Sequence, residues 1–259
     1  MSYDNSLIAI SQNLCTKQYT MSTLPFYIPI VFGVSIVMAL YLFYRASGRS
    51  LTFLLLALGW IVLQGLLSAT GFYAEPGKPL RFPLLLMPPV VFGLIFSYTP
   101  KGRRFFSTLD IRLLTLLQLI RLFVEPVLYW LSLYHLVPRV MTFEGRNFDI
   151  LTGLTVPIIY YFGFVRRKSP TWIMMTWNWM GVGLLAVVVS IGVSSALHAG
   201  QTIASANAGT GLSPFAIQQF PWALLPGFLV PIAFFAHVGS IRLLAARAIG
   251  SPSPGTSFQ

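Results

Sequence analysis

Runs of about twenty apolar residues with almost no charge recur along the whole chain, and nothing else in the sequence constrains folding as much. A helix of that length crosses the hydrocarbon core of a bilayer. The runs fall at 24–44, 51–72, 82–98, 113–136, 150–165, 172–197 and 222–243. They predict an all-α, polytopic transmembrane bundle of about seven helices. Those at 82–98 and 150–165 lie at the short end of the spanning range. Only 9% of residues are charged, against about 25% in a soluble domain, and mean hydropathy is +0.74. No stretch between the runs is long enough to bury a soluble core.

The net charge of +11 would suit nucleic acid, but the placement of the basic residues argues against that. Eleven stand in alternate inter-run segments: Arg45, Arg49, Lys101, Arg103, Arg104, Arg112, Arg166, Arg167, Lys168, Arg242 and Arg247. The opposite set holds five, namely Lys17, Lys78, Arg81, Arg139 and Arg146, and Arg121 lies inside the fourth run. The positive-inside rule then predicts N-out, C-in orientation in a multi-pass inner (plasma) membrane protein whose surroundings are the lipid bilayer. Trp172 and Trp222 fall at run ends, as interfacial anchors do.

Three organisational expectations follow. Residues 1–23 form a polar N-terminal segment without the basic and apolar regions of a signal peptide, and Met21 offers an alternative start to Met1. Residues 24–249 form the transmembrane domain, with 199–219, rich in Ala, Gly, Ser and Thr, as a long external loop. Residues 250–259, rich in Ser, Pro and Gly, form a disordered tail. Cys15, the single cysteine, allows no internal disulfide.

Two local matches suggest an internal repeat. Arg49-Ser-Leu-Thr-Phe53 with Trp60 pairs with Lys168-Ser-Pro-Thr-Trp172 and Trp179, and Phe82-Pro83 with Leu86 and Pro88 pairs with Phe220-Pro221, Leu224 and Pro226. Runs 1–3 and 5–7 enter from the same side, because an odd helix separates them. This parallel 3+1+3 layout resembles that of sugar transporters of the SWEET class. Their Pro-Gln motif is absent, so no functional residue carries over. Chance matches in a chain with 15% aromatics and 18 prolines are the competing explanation.

The fourth run carries the densest chemistry. Thr115, Gln118, Arg121, Glu125, Tyr129 and Ser132 recur every three or four residues, one continuous face of a helix. Lipid does not solvate such a stripe, so it must face protein or water. Arg121 and Glu125, one turn apart, are expected to pair with each other, and Pro126 to kink the helix beside them. Gln118, Arg121, Glu125 and Tyr129 are the candidate substrate-binding or coupling residues. A locked packing ion pair competes with a site for an anionic or protonatable solute in which Glu125 carries a proton.

The segment Met141-Thr-Phe-Glu-Gly-Arg-Asn-Phe-Asp-Ile150 is the second cluster. Its plain reading has Asp149 capping the fifth helix and Glu144 pairing with Arg146. Its sharper reading is an external recognition loop of Glu144, Arg146, Asn147 and Asp149, near His135 and His198. The string Thr-Phe-Glu-Gly-Arg-Asn-Phe-Asp resembles one in uncharacterised bacterial inner-membrane proteins, a likeness that implies no activity. Prolines at 88, 89, 226 and 231 are expected to break the third and seventh helices, a pointer to a transporter site. Gly59, Gly65, Gly181, Gly183 and Gly192 suit close helix packing, and His237 suits a hydrogen-bonded packing role.

No lysine lies in any run, which excludes a retinal Schiff base, and receptor signature motifs are absent. No metal-ligand spacing, nucleophile motif or phosphate loop is present, so no catalytic residue, metal or cofactor is assigned. A small-solute or proton-coupled transporter acting on an unknown small molecule is the leading expectation. A membrane-embedded enzyme acting on lipid at the external face, and a non-catalytic subunit or sensor, are the alternatives.

Overall fold

The structure, a computed structural model, describes residues 24–74, 81–205 and 216–250, with backbone alone for 196–205 and 248–250. Cys15, Met21, Lys17, Lys78, residues 206–215 and the tail from 251 lie outside the described residues.

The chain is all-helical, with no strand among the described residues. Helix α1 (Tyr27–Ala46) and α2 (Leu51–Ala69) are joined by a tight turn, in which Gly48 and Arg49 take positive φ of 68° and 62°. Ser50 begins α2 by accepting the Phe53 N–H. Helix α3 (Pro83–Tyr98) ends at Thr99, and α4 (Pro100–Ser107) leaves it at 93°. The Thr99 hydroxyl accepts the Gly102 N–H at 3.0 Å and so caps the new helix. Helix α4 buries Phe106 and exposes Lys101, Arg103 and Arg104, the character of a helix lying in an interface.

The fourth run is wound in three pieces: α5 (Ile111–Leu117), a 3₁₀ turn at Gln118–Ile120, and α6 (Arg121–Leu133). The fifth run is α7 (Ile150–Tyr160), followed by a π turn at Tyr161–Val165. Helix α8 (Thr171–Ser205) is a single 35-residue rod. A π turn at Leu225–Leu229 leads into α9 (Val230–Gly250).

Four helical stretches are long and apolar enough to cross a bilayer: Tyr27–Ala46, Leu51–Ala69, Thr171–Ser195 and Leu225–Arg247. The bent pair α3 and α4 makes a fifth if taken as one span. The fourth run is charged and broken in its winding, and Ile150–Val165 is short, so neither reaches that standard. Several apolar helices are therefore compatible with an integral membrane protein.

The distribution of side chains points the same way. Leu55, Leu66, Phe92 and Ile95 are 63–68% exposed, while Gln64, Gln118, Arg121, Glu125, Asn178 and His237 are 3% exposed or less. Water would reject that outer surface and lipid would accept it. Helices α1, α5–α6 and α9 form the centre, with α2 and α3 packed on one part of it and α7 and α8 on another.

Two expectations about breaks change. Pro88 and Pro89 do not interrupt α3, since membrane helices tolerate proline where neighbours re-satisfy the freed groups. The break falls at Thr99, where Arg242 of α9 donates to the Ser97 carbonyl and covers the exposed C-terminal end. Residues 199–205, expected as loop, continue α8. Ala199 and Ala204 favour helix.

Candidate functional site

Arg121 opens α6 directly after the 3₁₀ turn, and a mid-helix change of winding of this kind often marks a functional hinge. The guanidinium does not pair with Glu125. Its Nε donates to Asp149 Oδ2 at 2.7 Å, and its Nη1 donates to Gln118 Oε1. Gln118 Nε2 then reaches the Ala233 carbonyl of α9 at 3.3 Å. Glu125 instead accepts from Asn147 Nδ2 at 2.6 Å. The same Asn147 nitrogen donates to the Met141 carbonyl, and Asn147 Oδ1 accepts the Asp149 N–H at 3.0 Å.

The two clusters read separately in the sequence are thus one. The segment between α6 and α7 folds back into the bundle, where Asn147 is 0% and Asp149 6% exposed. This explains the short fifth run. At 1.5 Å per residue, its 16 residues rise only about 24 Å against a hydrocarbon core of about 30 Å. The helix starts inside the bundle and aims its positive N-terminal end at the site. Gly153 permits the approach, because a Cβ there would sit 3.3 Å from that of Arg121.

Asp149 therefore binds Arg121 rather than capping α7; it makes no side-chain cap bond. Glu144 pairs with Arg139 at 2.7 Å, on the exposed side of the turn, and not with Arg146. The hydrogen bond and charge of Glu144 hold the Arg139 guanidinium above its usual pKa. Arg146 and His135 are exposed, and His135 sits in a turn with φ of 58°. Tyr129 is half-buried, its ring 5.2 Å from that of Phe143, so it flanks the cluster without entering it. The His198 side chain lies outside the described residues. The external-loop candidates are divided among the described residues, with Asn147 and Asp149 turned inward and Glu144 and Arg146 outward.

A second buried polar pair joins α9 to α8. His237 of α9 is 0% exposed, with Nδ1 2.9 Å from Asn178 Oδ1. Asn178 Nδ2 donates to the Met174 carbonyl, which leaves its oxygen as acceptor and places the imidazole proton on Nδ1. Gly181 provides the seat, since a Cβ there would collide with the imidazole. Asn178 was missed in the sequence reading. A lone Asn between Trp177 and Trp179 in an apolar run was the signal that could have found it.

Several buried atoms of this core have no hydrogen-bond partner among the described residues: Arg121 Nη2, Glu125 Oε2, Asp149 Oδ1, Thr152 Oγ1 and His237 Nε2. Native cores rarely leave such groups unmet, so this concentration of them sets the cluster apart from ordinary packing. Among the described residues no group of three or more His, Cys, Asp and Glu side chains could hold a metal ion. No protein-family model, curated protein or solved structure matches the chain.

Proposed function

We propose that the chain is a multi-pass inner-membrane transporter for a small solute, coupled to proton binding at the Glu125–Asp149 pair. One observation carries this reading. Two buried carboxylates from different elements sit in one network with a single guanidinium: Asp149 binds Arg121 directly, and Asn147 links Glu125 to Asp149. With both ionised the cluster carries a net negative charge, and an uncompensated charge in the bilayer interior is expensive. One proton on Glu125 restores balance. A solute that brings its own positive charge displaces that proton.

The surroundings supply the moving parts. The 3₁₀ turn at Gln118–Ile120 interrupts the helix that carries the cluster, and π turns end α7 and precede α9. The folded-back segment 139–149 covers one side, held outside by the exposed Arg139–Glu144 pair. A short helix pointing its N-terminus at a central site is the arrangement that solute carriers use. The 3+1+3 repeat, the seven-span count and the N-out, C-in orientation belong to this proposal. The orientation draws support from the basic residues that gather at one end: the Asp110 N–H reaches the Ala46 carbonyl, and Arg242 reaches α3.

Glu125→Gln keeps the Asn147 hydrogen bond and removes the titrating group. In proteoliposomes carrying an internal pH dye, a panel of small amines and neutral metabolites is applied outside. Wild type is expected to move protons with at least one solute, and Glu125→Gln to fold normally and move none. Proton movement in Glu125→Gln equal to wild type would overturn the coupling role. Infrared spectroscopy gives a second reading, because a protonated carboxyl band should be present in wild type and missing from Glu125→Gln.

A further inference from the structure

Away from this core, at the end of the bundle where α5 begins, the structure contains a pocket of about 380 Å³. Three arginines from distant parts of the chain line it: Arg112 in the first turn of α5, Arg167 after the π turn, and Arg247 in the last turn of α9. Their sequence separation shows that the fold brings them together; no local basic run does. One acid, Asp110, also lines the pocket, and its carboxylate already accepts the Arg112 N–H at 2.8 Å. Guanidinium groups therefore outnumber carboxylates among the side chains that line the pocket.

Apolar groups complete the wall. Ile111 is buried, and Phe164 lies 6.0 Å from the Arg112 guanidinium across its ring face. Arg167 is held at a positive φ of 52°, a conformation that side-chain-bearing residues adopt at some cost and that recurs at binding sites. Guanidinium groups on separate elements around a concave floor match the oxygens of a phosphate group, which arginine contacts in bidentate fashion. Basic pockets between helix ends at a membrane surface hold phosphorylated lipid headgroups.

We infer that Arg112, Arg167 and Arg247 form a binding site for a phosphate group, carried by an anionic phospholipid headgroup or by free phosphate. The inference stands apart from the transport reading, because none of these residues belongs to the Glu125–Asp149 cluster. It also differs from general attraction to a negative membrane, and α4 provides the control. Lys101, Arg103 and Arg104 are equally basic and exposed but line no part of the pocket.

The test uses the full chain purified in detergent, with native mass spectrometry to count bound phosphatidylglycerol, cardiolipin or phosphatidylcholine. One tightly held anionic lipid, or one phosphate ion when inorganic phosphate is the probe, is expected. Arg112→Gln with Arg167→Asn removes two charges, and asparagine tolerates the positive φ at 167. Each replacement should weaken binding roughly fivefold. Lys101→Gln with Arg104→Gln removes the same charge and should leave the stoichiometry unchanged. Retention of lipid by anion but not by phosphatidylcholine, with no competition from millimolar phosphate, identifies the lipid source. Displacement by phosphate identifies the free ion. Equal losses in both double variants, or undiminished binding in the pocket variant, would overturn the site. If the pocket double variant fails to fold, Arg167→Asn alone carries the same comparison.

Discussion

The buried guanidinium of Arg121 sets the terms at the scale of single residues. It has one ionised partner by direct contact, Asp149, with side chains 4% and 8% exposed. Removing one member of a buried pair leaves the other uncompensated and costs about 3–5 kcal/mol. Asp149→Ala should therefore lower the thermal unfolding midpoint in detergent by many degrees. Glu144→Ala, at an exposed pair, should leave it nearly unchanged. Equal shifts would mean that Asp149 is not buried against Arg121. The polar stripe from Thr115 to Ser132 was legible in the sequence because a 3.6-residue period reports one helix face directly. The partners were not. Arg121 and Glu125 are neighbours in spacing, and a pair one turn apart is what local geometry suggests. The actual bonds cross 28 and 22 residues to a segment that folds inward. Nothing in the periodicity of one helix reports where a following loop will lie. The short fifth run and the Asn147-Phe148-Asp149 turn were the traces of it.

At the scale of elements, the irregular windings are where sequence and fold diverge, and proline chemistry explains one of them. Gly227 lies in the π turn before α9, and Pro231, four residues on, has no N–H to offer its carbonyl. Trp60 of α2 meets that need, its Nε1 donating to the Gly227 oxygen at 2.8 Å. The break in the seventh helix is thus stitched to the second. Gln64, one turn further along α2, lies under the same turn and accepts the Tyr73 hydroxyl at 2.7 Å. Burial pushes the Tyr73 phenol above its usual pKa, so it stays a donor. Trp60→Phe should cost about 1–2 kcal/mol, the loss of a donor to a buried carbonyl. Pro231→Ala restores a backbone N–H at the position that the carbonyl lacks. In a double-mutant cycle, Trp60→Phe should cost clearly less in the Pro231→Ala background. Identical costs in the two backgrounds would mean that the tryptophan contact does not answer the proline. The prolines themselves were visible in the sequence, but which of them breaks a helix was not. Pro88 and Pro89 are absorbed within α3, and in the fourth run the winding changes at Gln118–Ile120, ahead of Pro126. That outcome depends on which neighbour can satisfy the freed carbonyl, a fact of packing rather than of sequence.

For the whole molecule, the physical question is which end of the bundle faces the cytoplasm. The apolar runs made the helical bundle legible, because each had to bury or lipidate its surface. Orientation rests on a different quantity, the excess of basic residues at one end, and that excess acts during insertion rather than in the folded contacts. The fold gives the excess a definite shape. Helix α4 lays Lys101, Arg103 and Arg104 outward, and the Arg112, Arg167 and Arg247 pocket opens nearby, beyond the Asp110 turn. The other end holds the exposed Arg139–Glu144 pair and Arg146. The single native cysteine makes a direct experiment simple. In a Cys15→Ser background, Ser107→Cys places one thiol on the basic end and Arg146→Cys places one on the opposite end, both at exposed positions. A membrane-impermeant maleimide applied to intact cells should label Arg146→Cys and spare Ser107→Cys until the cells are lysed. The reverse pattern would invert the bundle. Segment 139–149, which covers the Glu125–Asp149 cluster, would then face the cytoplasm, and under the proposed transport function the solute would be captured inside the cell.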